Sequence, residues 1–465
     1  MFLYWYTTYM DTAKLTFCGG AGEVTGANFL LAFGSTNVLI DCGTHEQERA
    51  CGGRDLEPFP YDVAGITALF ITHAHQDHIG RVPRLVREGF RGTIYSTPAT
   101  KGLAKVMFDD ALGVMHDEMK RYGCEALYER EDAQRALELW QAREYHAPFE
   151  IPDTSEATVE FLDAGHILGS ALVKFSRAGR SIVFSGDIGN TPEPLLRDCE
   201  APSGASYLVM ESVYGDRVHE DRAGRKEVLR SAIETTRAEG GVLLIPSFSL
   251  ERTQVLLYEM NDMVESGEMQ SIPVYLDSPL AERITEVFRK HPDSFNEAVQ
   301  ARIARGDDPF AFKGLTIIGS PEESRGIYHM KDPKVIIAGA GMSGGGRIRA
   351  HEKEYLGSDR TTVLLVGYQA PGSLGRRILD GQKKVRIDGA DIEVHARTMF
   401  LGGYSGHADR EQLLDFVEGA GDGLTRAFIV MGEPRSSLYL AQRIKDFLGT
   451  DAVVPVRGQT FDIEW

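Results

Sequence analysis

Short apolar runs separated by glycine turns open the chain. Residues 15–17, 28–32 and 37–41 are predicted strands, and Gly19-Gly20-Ala21-Gly22 turns between the first two. Further strands are predicted at 68–72 and 93–96. From about 98 to 143, apolar residues recur among many charges at helical spacing. Residues 159–162 and 181–184 are strands, each entering a glycine-containing loop. From 207 the rhythm changes: strands at 207–210, 241–246, 272–276, 316–318, 335–338 and 362–366 alternate with helices at 225–239, from 251 and from 280. Such alternation predicts a parallel sheet covered by helices. After 388 short strands return at 393–398 and 427–431, with helices near 409–418 and 438–448.

A chain of 465 residues exceeds one ordinary core, so two domains are expected, the second beginning near 207. Apolar residues make up 42% and charged residues 25%, the composition of a globular protein. The net charge of −18 argues against a globally basic nucleic-acid binder, while leaving room for a local positive cleft built around divalent metal. The five cysteines are scattered and form no C-x-x-C pair, which predicts reduced thiols in a cytoplasmic protein; Cys42 and Cys51 are close enough in sequence to pair under oxidation. The aromatic start Met1-Phe2-Leu3-Tyr4-Trp5-Tyr6 lacks a basic flank and is soon interrupted by Asp11 and Lys14. It is predicted to be an extension over 1–13, with no signal peptide and no membrane contact.

The chemistry concentrates in His73-Ala74-His75-Gln76-Asp77-His78, directly after an apolar strand. A strand end is a rigid base, and imidazole with carboxylate suits zinc or a related divalent ion such as manganese. One such histidine is ordinarily core or surface; four ligand-type residues in six positions are not. Ala164-Gly165-His166-Ile167-Leu168-Gly169-Ser170 and Ser185-Gly186-Asp187 each place one more candidate in a tight loop after a strand. Alone, either is more often a turn; beside the first cluster they supply what a two-metal site needs.

The order H-x-H-x-D-H, G-H-x-x-G-S, S-G-D resembles the metallo-β-lactamase superfamily. The resemblance implies an α/β fold, an αββα sandwich with its metals at one sheet edge. It implies that His73, His75 and His166 hold one Zn²⁺, that Asp77 and His78 hold a second, and that Asp187 bridges them; Mn²⁺ is an alternative. Asp41 matches the family's aspartate that orients a ligand histidine. The later motifs Glu211-Ser212-Val213-Tyr214-Gly215, Pro246-Ser247-Phe248-Ser249, Asp277-Ser278-Pro279, Gly341-Met342-Ser343-Gly344-Gly345-Gly346-Arg347, Gly367-Tyr368-Gln369 and Ser405-Gly406-His407-Ala408-Asp409 resemble the β-CASP branch, in particular its RNA-processing nucleases. The implied plan is a metallo-β-lactamase domain over 14–206 and 391–465, with a β-CASP α/β domain over 207–390 inserted.

The implied activity is a ribonuclease that hydrolyses phosphodiester bonds of single-stranded RNA in a cleft between the two domains. A metal-bridged hydroxide would attack, with Asp77 in the metal centre, His407 as general acid and Glu211 holding its charge. Ser247, Arg252, Ser343, Gly344 and Gly345 are the expected substrate-binding residues: a glycine loop and a helix start both suit phosphate. An ordinary glycine turn and a structural ion pair for Arg252 are the plainer alternatives. A homodimer is compatible with the sequence.

One position departs from the family. Met431, in Val430-Met431-Gly432-Glu433, stands where the family's last metal-binding histidine is expected, and a thioether is a poor replacement on zinc. His351 and His395 do not stand at the expected strand end. Three readings follow, in this order: a working ribonuclease with a weakly held second metal, an RNA-binding protein with impaired catalysis, and a hydrolase of a small ester or thioester.

Overall fold

Two seven-stranded sheets face each other. The computed structural model describes residues 12–45, 53–151, 157–219 and 224–465; most of the expected extension at 1–13, and Cys51, lie outside these. The first sheet runs, edge to edge, Thr460–Glu464, Thr12–Gly19, Asn28–Phe33, Thr36–Ile40, Ala68–Phe70, Thr93–Ser96 and Trp140–Ala142. The second runs Asp451–Val453, Arg426–Ile429, Tyr207–Met210, Arg180–Phe184, Ala171–Arg177, Thr158–Asp163 and Phe149–Glu150. Strand alternation explains the sandwich, because successive side chains leave opposite faces. Phe17, Phe29, Leu31, Val38 and Phe70 from one sheet meet Phe161, Phe175, Phe184, Val209 and Phe428 from the other in one buried cluster. Phe70 meets Phe175 edge-on at 4.9 Å between ring centres. The intervening residues of the second sheet, Leu172, Val183, Leu208 and Met210, face outward and are covered by the helices Arg410–Glu418 and Pro434–Arg443. The helices Val82–Arg87, Pro98–Tyr122 and Arg130–Glu138 belong with the first sheet, and Phe108 lies 6.2 Å from Trp140 at its edge. The architecture is the αββα sandwich that the motifs implied.

The helical stretch read at 98–143 is two helices and a strand. Gly123, at φ 68°, takes the left-handed conformation that ends the first helix, and Trp140–Ala142 then joins the sheet. Helical spacing on both sides hides such a break from the apolar pattern.

Contacts divide the chain into two compact units. The first comprises the residues up to Thr191, then Asp198–Val218 and His407–Trp465; the second comprises Pro192–Arg197 and His219–Gly406. The sequence placed the second unit at 207–390. The strand Tyr207–Met210, however, pairs with Arg180–Phe184 on one side and Arg426–Ile429 on the other, inside the sandwich. Arg397–Leu401 pairs with Thr361–Val366 in the second unit. Within that unit, six parallel strands run in the order Leu315–Ile317, Val274–Asp277, Lys334–Ala338, Val242–Pro246, Thr361–Val366 and Arg397–Leu401.

Cys18, Cys42 and Cys199 are free thiols, whereas Cys124 is disulfide-bonded. The expectation that every cysteine is reduced fails at Cys124, because spacing along the chain says nothing of distance in the fold. No helix among the described residues is long and apolar enough to cross a membrane.

Candidate metal centre

The ligand-type side chains gather at one edge of the sandwich because three strand ends meet there. Beyond Ala68–Phe70 the chain stays extended through His73 and His75 (φ −68°, ψ 150°), then makes the single helical turn Gln76–Ile79 that carries Asp77 and His78. Backbone hydrogen bonds pin this turn: the Ala27 amide donates to Asp77 O at 2.9 Å and the Cys42 amide to His78 O at 2.8 Å. The approach is so close that a Cβ on Gly43 would sit 1.5 Å from Asp77 O, so position 43 accepts only glycine.

His166 and Asp187 come from two loops of the second sheet. The Ser170 hydroxyl accepts from the His166 amide at 3.0 Å, folding its loop into a tight bend, and the Gly189 amide donates to Ala164 O at 2.8 Å, joining the two loops.

The distances are those of a metal cage. His73 Nε2 and His75 Nδ1 are 3.1 Å apart, His75 Nδ1 and His166 Nε2 3.3 Å. Asp187 Oδ2 lies 3.4 Å from His73 Nε2 and 3.5 Å from His166 Nε2. Four donors at ordinary zinc distances stand about 3.3 Å from one another at the corners of a tetrahedron. The other oxygen, Asp187 Oδ1, faces His78 Nε2 at 3.3 Å, and Asp77 Oδ2 is 3.8 Å from the same nitrogen. Both His78 Nε2 and Asp187 Oδ1 are buried without a hydrogen-bond partner. Buried polar atoms are normally satisfied, and these two face one another across 3.3 Å. The donor set of His73, His75, His166 and Asp187 fits a divalent metal.

Electrostatics agree with that fit. Burial, reinforced by neighbouring imidazoles, holds His75 and His166 well below the ordinary histidine value, and burial with His78 lowers His73. Their lone pairs are thus available near neutrality. Burial would discharge His78 as well, but Asp187, Asp41 and Asp77 outweigh it and raise its value. Asp187, despite burial, is held well below the carboxylate range by His78 and His73.

Asp41 supports the cage from behind. It adopts φ 57°, which an aspartate tolerates better than most residues. Its Oδ2 lies 2.8 Å from His78 Nδ1 and accepts from the Thr72 hydroxyl at 2.8 Å, while Oδ1 accepts from the Thr72 amide at 2.9 Å. Thr72 also approaches His73 Nδ1 at 3.1 Å. Sequence reasoning missed Thr72; its signal was a hydroxyl in the last apolar strand position before His73.

Glu211 and His407 adjoin the cage in the same unit. Glu211, fully buried, accepts from the Ile188 amide at 2.7 Å and from His407 Nδ1 at 3.2 Å through Oε1. Burial raises the Glu211 carboxyl against the pull of His407. Burial opposes charge on His407 too, but Glu211 overrides it and lifts the imidazole to about 9. The His407 side chain is 27% exposed and lies 3.9 Å from Asp187 Oδ2. Ser185, also missed, accepts from the Glu211 amide at 3.2 Å.

Residues 21–245 match the metallo-beta-lactamase superfamily, 253–378 the Beta-Casp domain, and 391–455 the Zn-dependent metallo-hydrolase RNA specificity domain. A ribonuclease of Thermus thermophilus is 37% identical over 424 residues, which cover 91% of this chain and 94% of that protein. The chain belongs to the β-CASP branch of the metallo-β-lactamase superfamily. The transcription termination factor FttA of Methanocaldococcus jannaschii is 29% identical over 95% of this chain and 70% of that protein. A protein of unknown function from Enterococcus faecalis shares the fold, with a TM-score of 0.58 at 13% identity over 97% of this chain and all of the other.

In this β-CASP protein Met431 is buried in the sandwich core beside Phe29 and Val430. The five residues expected at substrate lie in the second unit. The Ser247 hydroxyl is buried and accepts from Thr253 Oγ1 at 3.0 Å. Ser343 is buried as well, and its hydroxyl donates inward to the Glu352 carboxyl. Gly344 is exposed and Gly345 half-buried. The guanidinium of Arg252 lies 5.9 Å from the Tyr404 ring and makes no hydrogen bond among the described residues.

Proposed function

We propose that this protein is a zinc-dependent ribonuclease that hydrolyses phosphodiester bonds of single-stranded RNA. The observation that carries the reading is the double cage around Asp187: one oxygen in a His73–His75–His166 group, the other facing His78 beside Asp77. The kinship with a ribonuclease over nearly the whole of both chains supports RNA as substrate.

Two divalent ions, when bound, would acidify a water and neutralise charge building on the phosphate oxygens. The residues supply the rest. Neutral His73, His75 and His166 offer lone pairs, and Asp187 offers one oxygen to each side. Asp41 fixes the ring plane of His78 through Nδ1, so that Nε2 points into the cage. His407, charged beside Glu211, gives its proton to the departing ribose oxygen. Arg252 and the Gly344 and Gly345 amides receive phosphates of the strand. The Ser247 and Ser343 hydroxyls act indirectly, by shaping the two loops.

Met431 favours a second reading, an RNA-binding protein whose catalysis is impaired. One experiment separates them: metal analysis of purified protein, with labelled single-stranded RNA incubated in Zn²⁺ or Mn²⁺. Cleavage supports the nuclease; retained binding without cleavage in either metal supports the impaired form.

A further inference from the structure

Phe248 and Tyr368 are large aromatic side chains left 40% and 46% exposed, and the chemistry above uses neither. Both stand just past the carboxyl ends of neighbouring parallel strands. Val242–Pro246 leads into Ser247 and Phe248, Thr361–Val366 leads into Gly367 and Tyr368, and the two strands are hydrogen-bonded side by side. On the other flank of Val242–Pro246, the strand Lys334–Ala338 delivers the Gly341–Gly346 loop to the same edge. The carboxyl edge of an open parallel sheet is where ligand-binding loops collect.

Gly341 links the two segments. A Cβ on Gly341 would stand 2.5–2.8 Å from three atoms of the Phe248 ring, so only glycine lets that ring lie against the loop backbone. From the other side the buried Gln369 donates through Nε2 to Gly341 O at 3.0 Å. Gln369 follows Tyr368 directly, and its hydrogen bond fixes the backbone from which Tyr368 projects. The Gly375 amide adds a second tie, to Met342 O at 3.1 Å. The fold thus brings the Phe248 ring and the backbone that carries Tyr368 to one loop while leaving much of each side chain in water, against the hydrophobic gain that burial would bring. In the same loop the Gly344 and Gly345 amides make no backbone hydrogen bond among the described residues.

We propose that Phe248 and Tyr368 form a stacking platform for unpaired nucleobases, with the Gly344 and Gly345 amides meeting the adjoining phosphate. The proposal rests on the ribonuclease reading for its ligand. Aromatic stacking reads the π face that every base carries, so the platform tolerates sequence. Bases inside a duplex already stack on one another, so it selects single strands. The loop amides add hydrogen bonds to phosphate, which position the strand without reading its sequence.

The test is binding by the full-length protein, measured by fluorescence anisotropy with hydrolysis-resistant phosphorothioate strands. One strand carries bases; the other is abasic, of equal length and charge. The base-bearing strand is expected to bind about 10-fold tighter or more. The double variant Phe248→Ala, Tyr368→Ala brings the ratio toward unity, whereas Phe248→Trp and Tyr368→Phe preserve it. Thermal melting of each variant verifies folding. A wild-type ratio of unity, or an unchanged ratio in the double alanine variant, overturns the platform. Cleavage of ordinary RNA in Zn²⁺ or Mn²⁺ is scored separately. Cleavage with a base-independent ratio rejects the platform alone, and base-dependent binding without cleavage rejects the nuclease alone.

Discussion

The amide of Met431 donates to Gly20 O at 2.7 Å, and its sulfur lies 2.6 Å from where a Gly20 Cβ would stand. Met431 also takes φ 45°, a left-handed conformation uncommon for such a residue. The backbone just past this strand end is therefore sharply bent, while the side chain fills the core beside Phe29. Met431→His places an imidazole at the same bend. Metal content measured by mass spectrometry should rise toward about two ions per chain. Without metal the variant should be less stable by about 1–3 kcal/mol, because a buried ring nitrogen then lacks a partner. Unchanged metal content would show that this position has no part in the second site.

Asp187 and Asp41 differ in what their loss should do. Asp187 has an oxygen toward each half of the cage, so Asp187→Ala should release both metals and reduce RNA cleavage to background. The Asp41 carboxylate bonds the far nitrogen of His78 and the Thr72 amide and hydroxyl. Asp41→Asn should weaken metal affinity about 10- to 100-fold, with turnover restored at high metal concentration. Competition with a chelating dye measures both. Equal effects from the two substitutions would contradict the division of roles.

Much of this centre was legible because His73, His75, Asp77 and His78 are brought together by covalent spacing after one strand. His166 and Asp187 were legible as single ligand types in glycine loops that follow strands. The inward turn of Ser343 was not, since a serine among glycines reads alike whether its hydroxyl meets phosphate or Glu352. The strand Tyr207–Met210 was assigned to the second unit because an apolar run carries no mark of its partners. Phe248 and Tyr368 sat inside motifs that were recognised, yet only the fold shows that Gly341 joins them.

His407 is raised to about 9 through Glu211, so its protonated form prevails at neutral pH. His407→Ala should lower kcat by about 10²- to 10⁴-fold, with metal content retained. Glu211→Gln removes the charge that holds the proton, so the alkaline limb of the rate profile should move to lower pH. A limb that stays in place would show that another group supplies the proton.

Glu352, the hydrogen-bond partner of Ser343, offers a test of the pH dependence of stability. It is fully buried, Oε2 lacks a hydrogen-bond partner, and burial raises its carboxyl to about 8 against the pull of Ser343 and Arg349. The folded protein therefore holds a proton between the ordinary glutamate value of 4.5 and about 8 that the unfolded chain has released. Because the folded state binds more protons over that interval, stability falls as pH rises through it and levels off above. Glu352→Gln keeps an oxygen for the Ser343 hydroxyl and removes the titration. The variant should match wild type near pH 4.5 and exceed it by roughly 3–5 kcal/mol above pH 8. Urea denaturation across pH reads the difference directly. Parallel stability curves for the two proteins would show that Glu352 does not carry that proton.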